Sequence, residues 1–413
     1  VPAPANGRLL GAATDLVAEI ARGVPTATLE VWWTRPASAP VCVNRSIAMM
    51  RSPVARVNDG AFAHRVAELL LEGARRVLDG TADTSSTSGD VSDLANAGPL
   101  ATRAIADRQR AAVPLGVADA VRFVRRRVTG ALVARAHSRL WSIGYRRSRD
   151  ESPHEAFARL SESELLVPPA GTAWADPFPV RHEGVDLLFF EEQQELGRAA
   201  RLVCAELLDD GRLGTVRPIL ESVGHVSYPN VFAWQGEWFM VPETASRGVV
   251  SLYRATEFPH RWQHECDLLT GIALVDATLL ERSGGWLMLA TRITADDVAL
   301  EETVAFWAPT LTGPWQPHTR NPLVSDAYRG RPAGRFLEHE GTLLRPAQDS
   351  SVLYGHGLSL QQVLDFTPDR WREVTLAHRT ADWAPRLDGV HTFNRSSTLT
   401  CIDVARRVPR WPG

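Results

Sequence analysis

From about residue 140 to the C-terminus, short runs of Val, Leu, Phe and Trp alternate with polar stretches that carry glycine. That is the pattern of β-strands joined by tight turns. Five segments superpose on one template: "WADPFPVRHEGVDLLFFEE" (174–192), "SYPNVFAWQGEWFMVPE" (227–243), "VDATLLERSGGWLMLATR" (275–292), "RPAGRFLEHEGTLLRPAQD" (331–349) and "HTFNRSSTLTCIDV" (391–404). Each opens on polar residues, runs through an apolar strand, turns, and runs through a second apolar strand. Most then close on polar residues. The turn glycines Gly184, Gly236, Gly285 and Gly341 are 52, 49 and 56 residues apart, and the fifth segment turns on Ser396 and Ser397. A period near 50 residues with several strands per unit is the signature of a propeller blade. Further strand candidates at 200–208, 249–256 and 302–309 allow four strands per unit, and "RLWSIGYRR" (139–147) is placed to close the last blade onto the first. The predicted fold is mainly β, a five-bladed β-propeller over residues 139–413. A stacked β-sandwich would leave the repeat unexplained.

The N-terminal third has a different texture. Residues 1–80 read as a smaller α/β or helical region, with a strand at 27–33 and helical spacing over 61–80 that stops at Gly80. Residues 81–138 read as a linker rich in Ser, Thr, Asp and Gly followed by a basic helical segment. The basic helix, 121–139, could touch an anionic membrane surface, or serve as a solvated or domain-facing surface.

Composition narrows the function classes. The hydrophobic share of 44% and charged share of 23% are those of a globular protein, and a net charge of -3 leaves no global footprint for nucleic acid. No lysine occurs, so any anion site must use arginine, which grips phosphate or carboxylate with two parallel hydrogen bonds. Cys42, Cys204, Cys266 and Cys401 are far apart and form no metal-ligand spacing, so neither a metal nor a cofactor is expected. No apolar run is long enough to cross a bilayer, and the start at Val1, without a signal-like stretch, reads as a fragment from the cytoplasm.

In a propeller the first strand of each blade lines the central channel and the second runs back beside it. Residues opening the first strand and closing the second therefore meet at one mouth. The openers are Asp176, Ser227 with Tyr228, Asp276, Arg331 and His391. The closers are Glu191 with Glu192, Glu243, Arg292, Arg345, and Gln348 with Asp349. Polar residues converging on one mouth of an apolar scaffold are the usual pattern of a binding site. Taken singly, each has a structural reading: an Asp that caps a turn, a Pro that marks a strand end, an Arg–Asp pair that ties two strands.

The segments "WADPFP" and "VDATLLERSGGWLML" resemble the blade openings of the GH43-like propellers, the arabinanase, xylosidase and invertase-like glycosidases. More closely, motifs in order from 140 to 404, among them "HVSYPNVFAWQGEWFMVPET", "NPLVSDAYRGRPAGRF", "RPAQD" and "HTFN", resemble the N-terminal domain of glucosamine inositolphosphorylceramide transferases. Bacterial members of that family carry it behind a formyltransferase-like region, and residues 43–70 are faintly like the tail of such a region. The resemblance implies a carbohydrate or glycolipid ligand and a set of acid–base carboxylates. It puts the base at Asp176 and the orienting carboxylate at Asp276. The acid Glu of the GH43-like enzymes has no counterpart, because Arg331 stands in its blade, so Glu243 is expected to serve as the acid. Arg292, Arg331, Arg335 and Arg345, with His391, would bind an anionic part of the ligand. Trp174, Glu192, Tyr228, Gln348 and Asp349 complete the expected contacts. Two functions fit: an enzyme that hydrolyses or transfers a glycosyl group on a phosphorylated or uronic glycan, or a non-catalytic glycan-binding propeller that serves a partner transferase.

Overall fold

The computed structural model describes residues 8–13, 26–34, 41–49, 69, 137–148, 150–194, 200–221, 224–282, 284–293 and 301–409. The chain divides into two compact units. The first comprises Val1–Arg135 with Ser325–Ala327 and Ser351–Leu353. Its described part is an antiparallel sheet in which Thr26–Thr34 lies between Arg8–Ala13 and Val41–Met49. The central strand covers the apolar run expected at 27–33. The expected helix at 61–80 and the linker from 81 lie outside the described residues, apart from Leu69, which is helical. Within the expected basic helix 121–139, residues 137–139 instead begin a strand, and the others lie outside the described residues.

The second unit is built of five antiparallel sheets, each with four or five strands. The first blade runs Thr172–His182, Val185–Gln194, Arg201–Glu206, Arg217–Leu220. The second runs Ser227–Trp234, Glu237–Glu243, Val249–Glu257, Arg261–Thr270. The third begins Leu274–Arg282, Gly285–Arg292, Glu302–Ala308. The fourth has a broken inner strand, Arg331–Pro332 and Leu337–His339, followed by Thr342–Asp349, Gly357–Thr367 and Arg370–Thr380. In the fifth, Leu387–Gly389 and Phe393–Arg395 pair with Leu399–Pro409. That strand pairs in turn with His137–Arg147, which precedes the first blade in sequence. This pairing puts a strand that precedes the first blade into the last one and so closes the ring.

Inner hairpins turn where the repeat places them. Glu183 and Gly184, Gln235 and Gly236, and Glu340 and Gly341 all have positive φ, the turn geometry whose twist matches paired strands. Adjacent blades are then glued by apolar clusters, each shared by two neighbours. Phe178 and Phe189 of the first blade pack with Tyr228 and Met240 of the second. Val241 and Leu252 of the second pack with Met288 and Phe306 of the third. Leu289 meets Val363, Leu360 meets Ile402, and Cys401 meets Phe190 around the remaining interfaces. Burial of each large side chain contributes about 1.5–3 kcal/mol, so the ring is held mainly between blades. A short helix, Pro153–Ala158, is started by a reciprocal cap between Ser152 and Glu155 and sets Phe157 edge-on to Phe393.

Candidate functional site

The first three blades share one irregularity at their inner ends. Ala175 pairs with Glu191 and Phe178 with Phe189. Ser227 pairs with Glu243 and Asn230 with Val241. Val275 pairs with Thr291 and Thr278 with Leu289. Each inner strand thus carries one residue more than its partner, a β-bulge. The bulge residues Asp176, Tyr228 and Asp276 have φ of 50, 47 and 55°, left-handed values rare outside glycine. Such strain held at three equivalent positions is typical of a functional mouth.

A cavity of about 350 Å³ opens there. Asp176, Glu191, Ser227, Glu243, Arg331 and His391 wall it, together with Trp141, Gln193, His225, Val275, Ile293 and Tyr354. Asp176 is 5% exposed. Its carboxylate accepts from the Thr392 hydroxyl at 2.7 Å and the Tyr228 backbone N–H at 3.2 Å. His391 Nε2 stands 3.6 Å from it, while His391 Nδ1 lies 2.6 Å from Asp403. Asp403 is fully buried and accepts the backbone N–H groups of Asp176, His391 and Thr392, each at 3.0 Å. These bonds and the imidazole outweigh burial and hold Asp403 below the usual carboxylate range. Burial alone would depress His391, but Asp403 and Asp176 outweigh it and its pKa is raised. The ring also packs against Trp141, with centroids 4.1 Å apart and the planes tilted by 33°.

Three cavity carboxyls are shifted the other way. Burial, with Asp276 and Asp403 nearby, pushes Asp176 up to about 6 although His391 opposes the shift. Burial, Asp276 and Asp176 push Glu243 up to about 8, against Arg331 and a hydrogen bond from Ser227. Glu191 is raised well above its ordinary value by burial and by Asp176 and Glu243. His225, 3.9 Å from Glu191, is lowered by its burial. Like-charged groups sharing a desolvated space cannot all ionise, so protons are retained.

Asp276 sits behind this wall. Arg331 grips it through Nε and, at 3.2 Å, through Nη2, and Gln348 Nε2 approaches at 3.4 Å. Arg331 also lies over the Tyr354 ring at 5.0 Å. Asp176, His391 and Asp403 bring ligand atoms within 4.8 Å of one another, the spacing of a metal site. Metal ligation there would disrupt the Asp403–His391 contact and the three N–H bonds to Asp403.

The geometry revises the expected set. Glu191, rather than Glu192, faces the cavity. Glu192 points the other way and takes the Trp174 indole N–H and Arg201. Trp174 is packed on Phe190 in the core, and the Tyr228 ring is buried against Phe178 with its hydroxyl on Thr278, so neither offers a stacking face. The arginine cluster does not assemble. Arg292 pairs with Glu302, Arg345 grips Glu373 and the Arg329 carbonyl, and Arg335 lies toward the turn end of the inner hairpins. Asp349 holds His378 at 2.7 Å. Asp403, Tyr354, Trp141 and His225 were missed. For Asp403 a signal existed, an acid inside the apolar strand "TCIDVA".

A closed five-bladed ring with ionisable side chains gathered around one cavity defines a β-propeller with a polar pocket. The chain belongs to the family described as glucosamine inositolphosphorylceramide transferase 1, N-terminal, whose model matches residues 165–394. The transferase of that name from Oryza sativa subsp. japonica is 33% identical over 204 residues, 48% of this chain and 27% of the rice protein. The Arabidopsis thaliana protein is 29% identical over 206 residues, 48% and 26% of the two chains. The chain thus spans about a quarter of the length of these relatives. Among solved structures, a family 117 glycoside hydrolase of Zobellia galactanivorans superposes with a TM-score of 0.41 at 12% identity, covering 64% of this chain and 90% of that one. An α-L-arabinofuranosidase from Lactobacillus brevis gives 0.43 at 13% identity, over 60% and 88%.

Proposed function

We propose that the propeller is a carbohydrate-active domain that hydrolyses or transfers a glycosyl group at the mouth cavity. The carrying observation is that Asp176, Glu191 and Glu243 open onto one cavity of about 350 Å³ with their pKa values pushed apart. At neutral pH Glu243 keeps its proton and serves as general acid on the leaving oxygen. Asp176 is largely ionised and serves as base or nucleophile, the pairing that glycosyl transfer requires. Asp276, fixed by Arg331 and Gln348, stands behind the reacting centre. Asp403 and His391 orient Asp176; the imidazole favours its ionised form, while the Asp403 carboxylate opposes it.

The wall acids Asp176, Glu191 and Glu243 are matched in number by Arg331, His225 and His391, and Arg331 is already committed to Asp276, so a neutral or amine-bearing sugar suits the cavity itself. The relatives' name joins glucosamine to inositolphosphorylceramide. In this reading the amino sugar enters the cavity and the phosphorylated glycolipid lies outside it. A second reading, a glycan-holding module without turnover, is favoured by Arg331, which stands where the resembled glycosidases carry their acid.

A panel of aryl glycosides, amino sugars among them, assayed with wild type and Asp176→Asn decides between the two. The enzyme reading expects turnover of at least one member and a loss of roughly 10²–10⁴-fold in the variant. Saturable binding of a sugar with no turnover would replace it with the module reading.

A further inference from the structure

The inner hairpins enclose a second cavity at their turn end, about 370 Å³ in volume. Its walls include Phe232, Trp238 and Phe336, with Arg181, Arg335 and Ser397 as polar members. Arg335 comes from the fourth blade. Its Nη1 donates to the carbonyls of Pro179 at 3.1 Å and Arg395 at 3.4 Å, and its Nη2 to that of Val231 at 3.1 Å. Those acceptors belong to the first, fifth and second blades, so one guanidinium ties four blades together.

A guanidinium has five N–H donors, and only three are used here. Nε–H and one hydrogen of Nη2 have no acceptor among the described residues, nor does any described carboxylate pair with Arg335. Burial without a counter-charge pushes its pKa down to about 10. The same Nε and Nη2 edge is filled by a carboxylate on other arginines of this chain. Arg201 grips Glu192 that way, Arg331 grips Asp276, and Arg345 grips Glu373.

We propose that the turn-end cavity is a binding site for a small oxyanion, a carboxylate or phosphate monoester borne on an apolar ring, seated against the open edge of Arg335. The three aromatic side chains receive the ring. The Ser397 hydroxyl and Arg181, which already shares Asp186 at 3.0 Å, stand as further donors. An oxyanion there supplies the counter-charge that the protein leaves out, and a charge-assisted pair with two parallel hydrogen bonds is the strong form of this contact. The site is independent of the mouth carboxylates and of whatever reaction they run.

The test uses the full chain and phenyl phosphate, benzoate, inorganic phosphate and phenol as probes, read by melting temperature and by calorimetry. Phenyl phosphate or benzoate should raise the melting temperature by several degrees at saturating concentration, and phenol should not. Ser397→Glu places a tethered carboxylate at the exposed rim. It should raise the melting temperature without any probe and weaken probe binding by at least about tenfold. Arg335→Gln should weaken binding equally, and because it also removes the four-blade tie, Ser397→Glu serves as the variant that must fold. Equal stabilisation by inorganic phosphate would remove the ring from the proposal. Absence of any shift with all three anions, or binding unchanged in Ser397→Glu, would overturn it.

Discussion

The two ends of the propeller's inner hairpins belong to the same five hairpins yet offer different groups, carboxyls at one cavity and a guanidinium at the other. At the bulged end, Asp176, Glu191 and Glu243 face one cavity, and the arginine present, Arg331, is committed to Asp276. At the turn end, Arg335 is held by three carbonyls and faces no described carboxylate. The segment "RPAGRFLEHEGTLLRPAQD" carries the triplet Arg-Pro-Ala twice, at 331–333 and 345–347, and the difference teaches what the two copies do. Arg331 belongs to the inner strand and braces the mouth. Arg345 lies in the second strand and is directed outward onto Glu373 of the outermost strand. Arg335, between the triplets, is the arginine whose carboxylate-binding edge stays open.

The largest structural effect is expected from breaking the mouth's ion pair. Arg331→Met leaves the Asp276 carboxylate buried without its partner, a loss of about 3–5 kcal/mol in unfolding free energy. Chemical denaturation would measure it, and a change below about 1 kcal/mol would mean that the Arg331–Asp276 pair does not brace the mouth. Two neighbouring glutamates sharpen the comparison further. Glu191→Gln should alter turnover or sugar affinity, while Glu192→Gln should leave both unchanged and cost about 1–3 kcal/mol through the lost contacts to Trp174 and Arg201. The reverse pattern would return the site to the assignment expected from sequence.

A smaller effect is expected on stability against pH. Asp176, Glu191, Glu243 and His391 all bind a proton more tightly in the folded chain than in the unfolded one. For such groups the contribution to stability is complete below the unfolded pKa and is lost as pH rises through the folded value. Melting temperature should therefore fall between about pH 4 and 8, through the folded values of about 6 for Asp176 and about 8 for Glu243. Asp403 acts in the opposite sense below pH 4, and His225, His260 and His318, lowered from 6.5 by burial, act in that sense below about pH 6.5, so the fall is clearest above that value. Glu243→Gln should flatten the fall between pH 6 and 8. A wild-type melting temperature that rises across that interval would contradict the shifts.

The ring was legible because its signal is repetitive: five apolar hairpins with turns at a near-constant spacing. Positions at the mouth were legible as a set, since opening and closing residues of each hairpin fall at one end. Their individual roles were not. Asp176, Tyr228 and Asp276 occupy the same bulge, yet the Tyr228 ring turns into the core and only its backbone serves the site. The choice between Glu191 and Glu192 is a choice of strand face. With a side-chain period of two, one residue of register inverts it. Arginine clustering failed for a longer-range reason. The partners Glu302 and Glu373 come from strands farther out in the blades, and no spacing in the sequence announces those pairs.

The central claim is that Asp176 and Glu243 work at one cavity in opposite protonation states. Its most direct test is the pH dependence of kcat/KM on a glycoside found in the sugar panel, for wild type and Glu243→Gln. The account predicts a bell with limbs near pH 6 and pH 8, and loss of the alkaline limb together with most activity in the variant. A flat profile from pH 5 to 9, or an alkaline limb that survives Glu243→Gln, would contradict it.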